Sequence, residues 1–371
     1  MRGDLLFYSD FPFGFHNTEA EEKMSRFAAR GWNVSYVEQL GIRNPRPRHV
    51  LRALKRSNGP EREAPFEVVS PKLLPPRRAP VVGSVNRRWL GRQLRRHVSD
   101  PAEAVLWIRF PTPEIVPLAV GSPWRVVVYE AVDDHAAGPG MDDRLRAHFV
   151  EAEERLLARA DVVFAWSEPI RASLAVRHPN VHLATAAVDL EELEPVARVA
   201  GQDRTAVFTG EMGFRFDEQL AADVAGKLPD WTFLLAGPAG PEAEEALGGH
   251  RNVVLTGRYD HHELPRLLAR GRVALVPYRQ NEFTDTLVPV KLVEYLAAGR
   301  PVVSTPMRAA EGFADTVSFA SGPEAFAEAV RSVGDDSEEA RRRRVERVRA
   351  YSWERRIDEM EAAIEAAEQH G

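Results

Sequence analysis

The 371-residue sequence predicts an α/β protein built of two Rossmann-like domains, each around a parallel sheet. Three observations predict it. Short apolar runs alternate with amphipathic helical stretches from the N-terminus to about residue 190. The same alternation starts again at residue 205. A polar joint, EELEPVARVAGQDR (191–204), lies between the two series. The length suits two domains better than one. No short-period repeat points to a solenoid.

The elements follow in order. LLFYSD (5–10) is a strand and FPFGFHN (11–17) a loop. Thr18 to Glu21 forms a capping box that opens a helix running to about Arg30, and Gly31 ends it. WNVSYVE (32–38) is the next strand. A βαβ start of this kind places a ligand crevice at the carboxyl ends of its strands. Residues 43–97 are the least regular stretch, because eight prolines interrupt them. Strands return at AVLWIRF (104–110) and WRVVVYEAV (124–132). A helix over about 141–159, the strand DVVFAWS (161–167), a helix from Glu168 and the strand VHLATAAV (181–188) complete the first half.

The second half reads TAVFTGEM (205–212), a helix over 217–227, then WTFLLAGP (231–238) and NVVLTG (252–257). The helix ELPRLLARG (263–271) and the strand VALVPY (273–278) follow. The densest signal comes next, in RQNEFTDTLVPVKLVEYLAAGRPVVSTP (279–306). Pro289 suits the first position of a helix and Gly299 its end. The N-terminus of such a helix favours an anion. Lys291 and Glu294 are three residues apart and share a face. A cation near the helix start would meet a phosphate, and a carboxylate one turn deeper would accept from ribose hydroxyls. On spacing alone, an ordinary exposed Lys–Glu pair is the simpler reading.

Residues 279–306, with the specific motif at 289–303, resemble the donor-site signature of GT-B glycosyltransferases of the retaining family 4, also called group 1. The likeness is closest to the bacterial branch with the pattern P-x-K-x-x-E-Y-L-A-A-G-x-P-V-V. YEAVDD (129–134), ERLLARADVVFAWS (154–167), FTGEMGFRFD (208–217), FLLAGP (233–238), NVVLTGRY (252–259) and YSWERR (351–356) follow in the family's order, so the resemblance covers nearly the whole chain. It implies two Rossmann-like domains facing across a cleft. The expected division is 1–195 for the acceptor and 196–350 for the nucleotide sugar, with 351–371 a helix crossing back to the first domain.

The resemblance also implies a sugar transferred from a nucleotide-diphosphate sugar, with retention and without a metal or other cofactor. Glu294 matches the Glu that holds the donor ribose, and Lys291 lies on the phosphate side. Arg215, after the Gly210 turn, matches a basic position on the diphosphate. Arg258 and Tyr259 fall where the nucleobase is placed; read without the family, these are exposed loop residues. One position departs. Thr286 stands where much of the family has a Glu, eight residues before Glu294. Glu282 and Asp285 are candidate substitutes for that carboxylate, and Thr284 and Thr286 are alternative candidates as donors to phosphate or sugar.

In the first half, Glu130, Asp133, Asp134 and His135 follow a buried strand at its carboxyl end. Adjacent carboxylates raise one pKa and make a base or an acceptor anchor; equally, these residues cap the next helix. Gly14, Phe15 and His16 are the acceptor-side loop candidates, against a packed loop with a solvent-facing His. EEARRRRVERVR (338–349) reads as an exposed helix with i,i+4 pairs.

Composition limits the partners. With no Cys, thiolate metal sites and disulfides are excluded. The N-terminal apolar run is too short for a signal peptide and no stretch is long enough to span a bilayer, so a cytoplasmic protein is expected. The net charge of −6 is uneven: residues 43–97 hold 15 Lys and Arg against 3 Asp and Glu, leaving −18 elsewhere. No recognition motif accompanies the basic stretch, so nucleic acid is not expected. An anionic or lipid-linked acceptor, or peripheral contact with the inner membrane face through 43–97, fits the charge; a solvated insertion fits it as well. Only five of the 49 basic residues are Lys, which makes Lys291 conspicuous. Two other functions share these features: a nucleotide-sugar epimerase of GT-B fold, and a non-catalytic nucleotide-sugar-binding partner of another transferase.

Overall fold

The structure, a computed structural model, describes residues 2–10, 12–14, 19–38, 64–74, 80–133, 143–333 and 336–369. Thr18, Phe15, His16, Asp134, His135 and residues 43–63 and 75–79 of the basic stretch lie outside the described residues. The chain divides into two compact units. One takes residues 1–166, 170–184 and 357–371; the other takes 167–169 and 185–356.

The first unit is built on a seven-stranded sheet. Its strands are β1 (Asp4–Tyr8), β2 (Asn33–Val37), β3 (Glu67–Val69), β4 (Val105–Ile108), β5 (Val126–Ala131), β6 (Val162–Ala165) and β7 (Val181–Leu183). They pair in the order β3-β2-β1-β4-β5-β6-β7, every pair parallel. The strands read as continuous apolar runs because both faces are covered; all six residues of β5 are buried.

The second unit has six strands: β8 (Thr205–Thr209), β9 (Thr232–Ala236), β10 (Val253–Gly257), β11 (Val273–Val276), β12 (Val302–Ser304) and β13 (Val317–Phe319). Their order is β10-β9-β8-β11-β12-β13, again parallel throughout. In both sheets the order reverses between the first and fourth strands. That reversal leaves a crevice beyond the carboxyl ends of β1 and β4, and another beyond β8 and β11. The helix Val290–Ala297 buries Leu292, Val293, Tyr295, Leu296 and Ala297 in the second core. Each fully buried Leu or Val contributes about 1.5–3 kcal/mol, so this helix is rigidly set beside the second crevice.

Several sequence expectations need correction. The stretch expected to be irregular contains a fifteen-residue helix, Pro80–Leu94. Its only proline is at the first turn, where no N–H is needed. The strand expected over 181–188 closes after Leu183. Pro289 is the N-cap rather than the first helical residue, with ψ at 129°. The helix Glu338–Val348 is not simply exposed. Arg341 is buried and its Nε donates to Ala197 O at 2.7 Å, while Arg344 Nε donates to Gly299 O at 2.8 Å. These arginines satisfy carbonyls that the Val290–Ala297 helix end and the 194–198 turn leave open.

The helix Trp353–Glu368 is shared between the units in sequence. From Ile357 onward it packs in the first unit, where Ile357, Met360 and Ile364 are buried. Its Glu361 accepts from Trp32 Nε1 at 2.8 Å and Arg30 Nη1 at 2.9 Å, and also pairs with Arg2.

Candidate functional site

The second crevice is assembled from the ends of β8 and β11. Gly210 ends β8 with φ +121°, a conformation that side chains resist. A Cβ there would come within 3.0 Å of Lys291 Nζ. Glycine at 210 therefore lets the lysine lie across the turn. Lys291 Nζ donates to Tyr278 Oη at 2.6 Å and stands 5.2 Å from the Phe208 ring and 5.1 Å from the Tyr278 ring. Among the described residues no carboxylate forms an ion pair with it. Its charge is positioned by a hydroxyl and two π faces, and it remains available to an anion.

The loop after Gly210 is tied to the end of β11. Asp217 N donates to Pro277 O at 2.9 Å, and Arg279 N donates to Arg215 O at 2.8 Å. Phe216 and Tyr278 form an antiparallel bridge. These bonds fix Arg215 beside the same crevice. Its guanidinium lies 4.9 Å from the Phe214 ring and 5.4 Å from the Phe283 ring. Two rings flanking one guanidinium restrict its plane.

Glu294 lies one turn beyond Lys291. Burial pushes its carboxyl above the usual range; His261 and Lys291 oppose that rise and Glu192 adds to it. Burial also raises the Tyr259 phenol, with Glu294 reinforcing the rise and a hydrogen bond with Thr209 opposing it. Glu294, Tyr259, His261 and Lys291 thus share one electrostatic neighbourhood. Tyr295 serves structure instead: its hydroxyl accepts from Thr209 N at 2.8 Å and anchors the helix under β8.

Around the departure from the family pattern, both threonine hydroxyls face the backbone. Thr284 is buried and donates to Arg279 O at 2.6 Å, in a capping box with Asn281. Thr286 ends the short helix Glu282–Asp285 and donates to Phe283 O at 2.8 Å. Their protons are committed to the chain rather than turned to a ligand. Asp285 is half-buried in that helix, and Arg258 is exposed after β10.

The first crevice is different, and it corrects the reading of Glu130. This residue is fully buried in β5 and pairs with Lys23, which is also fully buried. It accepts from Trp107 Nε1 at 2.8 Å and from Trp166 Nε1 at 2.9 Å. Arg109 lies 3.7 Å from it and also faces Asp10 at 3.4 Å and Glu19 at 3.2 Å. Burial alone would raise the Glu130 pKa. Lys23, Arg109 and the hydrogen bonds instead hold it at about 2. Its pKa is lowered rather than raised, and both its oxygens accept hydrogen bonds within the fold, which suits a bracing carboxylate rather than a base. Asp133 is half-buried two residues beyond β5. Gly14, with φ +72°, donates its N–H to Glu21 Oε1 at 2.9 Å. Phe13 packs edge-on against Tyr36 and Phe66.

Sequence reasoning missed Lys23, Arg109, Tyr278 and His261. Lys23 carried a signal: it sits in the apolar stripe Ala20, Met24, Phe27, where a lysine needs a partner.

The chain is similar to known proteins. Residues 203–336 match the family described as "Glycosyl transferases group 1". The match contains Gly210, Arg215, Arg258, Tyr259, Lys291 and Glu294. A curated relative from Bacillus subtilis (strain 168), named a putative teichuronic acid biosynthesis glycosyltransferase, TuaH, is 28% identical over 219 residues. That match spans 54% of this chain and about half of the relative, 55%. Among solved structures, Anabaena HepE in complex with UDP and glucose superposes with a TM-score of 0.68 at 12% identity, covering 98% of this chain and 99% of that one. AviGT4, a glycosyltransferase involved in avilamycin A biosynthesis, gives 0.60 at 14% identity over 100% and 99%. Residues 203–336, inside the second unit, are thus similar to group 1 glycosyltransferases, and the two parallel-sheet Rossmann-like units have the fold of GT-B glycosyltransferases.

Proposed function

We propose that the protein is a glycosyltransferase that takes a sugar from a nucleotide-diphosphate sugar and passes it to an acceptor. One observation carries the reading: Lys291 is held over Gly210 at the β8–β11 switch point with no ion pair among the described residues, beside Arg215 and one turn before Glu294. The diphosphate would lie against Lys291, Arg215 and the positive end of the Val290–Ala297 helix. As the bond from sugar to phosphate breaks, charge grows on the departing diphosphate, and both cations stabilise it more in the transition state than before. They supply this charge without a metal, so turnover should survive a chelator. Glu294 would accept from the ribose hydroxyls, and Tyr259 would border the base.

Retention at the transferred carbon is supported by the family likeness, although Thr286 replaces one of that family's carboxylates. Asp133 is the described candidate for the acceptor side. The TuaH and AviGT4 names favour a bacterial envelope glycan or a natural product as the setting.

Calorimetry against UDP, GDP, ADP, dTDP and their sugars tests the reading, followed by turnover with Glu294→Ala. Binding of one nucleotide that Glu294→Ala abolishes is the expected outcome. Donor turnover unchanged in that variant would sink the site. Nucleotide binding without turnover would favour the non-catalytic partner, and conversion of the donor without acceptor would favour the epimerase.

A further inference from the structure

The first unit carries a surface that the donor site does not use. The helix Pro80–Leu94 buries Asn86, Leu90 and Leu94, spaced four apart, against the core. Its opposite face presents Val85, Arg88, Trp89 and Arg92, and the following turn adds Arg95 and Arg96. Residues 80–97 contain no Asp or Glu. Among the described residues none of these four arginines forms an ion pair.

The apolar part of that face is unusual. Val85 is 45% exposed and Trp89 is 39% exposed, one helical turn apart. Leu74, 44% exposed, joins them: the Asn86 side chain clamps its backbone through two 2.8 Å bonds, from Leu74 N to Asn86 Oδ1 and from Asn86 Nδ2 to Leu74 O. Three large apolar side chains therefore stand in water among arginines, on elements whose inner sides are firmly packed.

We propose that this face docks on an anionic lipid surface. The chemistry fits both parts of it. Arginines meet the phosphates of acidic headgroups, and a tryptophan with aliphatic neighbours reaches the boundary between headgroups and acyl chains. Nucleic acid would satisfy the arginines but leave Val85 and Leu74 exposed. The docking is peripheral, since no helix among the described residues is long and apolar enough to cross a membrane.

Flotation of the full chain with phosphatidylcholine vesicles, with and without phosphatidylglycerol, tests it. Binding is expected only with the acidic lipid and should fall steeply as salt rises. Replacing Arg88, Arg92 and Arg96 together by Gln should weaken it on the order of 100-fold. Trp89→Ser should weaken it roughly tenfold and blunt what binding persists at high salt. All four positions are exposed, so melting temperatures should stay unchanged. Lack of binding to acidic vesicles overturns the proposal. So does binding that both variants retain, or tight binding of duplex DNA with none to vesicles. Because no donor-site residue is involved, nucleotide binding should survive in both variants, which keeps this result separate from the fate of the transferase reading.

Discussion

At the carboxyl ends of β1 and β4, the first unit gathers Asp10, Glu19, Lys23, Arg109 and Glu130 into one buried network. At the same place in the second unit, β8 and β11 hold Lys291 against a hydroxyl and two rings. The topology is shared; the electrostatics are opposite in kind. The first crevice pairs its cations with its own carboxylates and braces the strands. The second positions a cation that makes no ion pair among the described residues. A sheet reversal supplies a crevice, and the side chains around it decide whether that crevice is a brace or a binding site.

The comparison breaks most sharply at Lys23. Lys23→Met leaves Glu130 and Glu19 buried without their closest cation and should cost about 3–5 kcal/mol in urea unfolding. A loss under about 1 kcal/mol would mean the network is not a brace. Acid probes the same contact. Glu130 is held at about 2, against 4.5 for a free carboxyl, so the folded state binds its proton less tightly than the unfolded chain. Its contribution is complete above pH 4.5 and drains away as pH falls towards about 2. Glu130→Gln should flatten that part of the stability profile.

Lys291 should behave in the opposite manner. Lys291→Ala is expected to weaken nucleoside-diphosphate binding on the order of 10- to 100-fold, as removal of a charge-assisted contact does. Calorimetry reads the affinity, and a melting temperature close to the parent's would show that the residue serves ligand rather than fold.

Glu294→Gln gives a smaller effect with a split sign. The folded pKa of Glu294 is raised, so the fold disfavours its ionised form, and that cost grows as pH rises above 4.5. Gln carries no such cost and should stabilise the protein by about 1 kcal/mol at neutral pH while weakening nucleotide binding. The smallest effect is on the parent protein: nucleotide affinity should climb with pH until Glu294 is fully ionised, then level off. An affinity independent of pH would remove Glu294 from the ribose.

The two-unit α/β fold was legible because parallel strands buried on both faces read as unbroken apolar runs, VVVYEA and TAVFT among them. The helix Pro80–Leu94 was not legible, because proline density hid the proline-free stretch after its first turn. The Val290–Ala297 helix announced itself through local signals, Pro289 and Gly299. Glu130 was misjudged for a different reason. Its neighbours in sequence are Asp133 and Asp134, which suggested repulsion, whereas its neighbours in space are Lys23 and Arg109. Charge pairing across 107 residues leaves no local trace. The same holds for Tyr278, whose role depends on Lys291 thirteen positions later.

The helix Trp353–Glu368 has a consequence for how the chain matures. Ile357, Met360, Glu361 and Ile364 complete the first unit, yet a ribosome makes them only after the whole of the second. Trp32 and Arg30 wait for Glu361 through more than three hundred residues of synthesis. The first unit therefore cannot finish folding before the second has emerged, the reverse of the usual N-terminal-first order. A chain stopped at residue 350 would carry a second unit near completion and a first unit with its Trp32 side uncovered, which is where a chaperone or a protease would take hold.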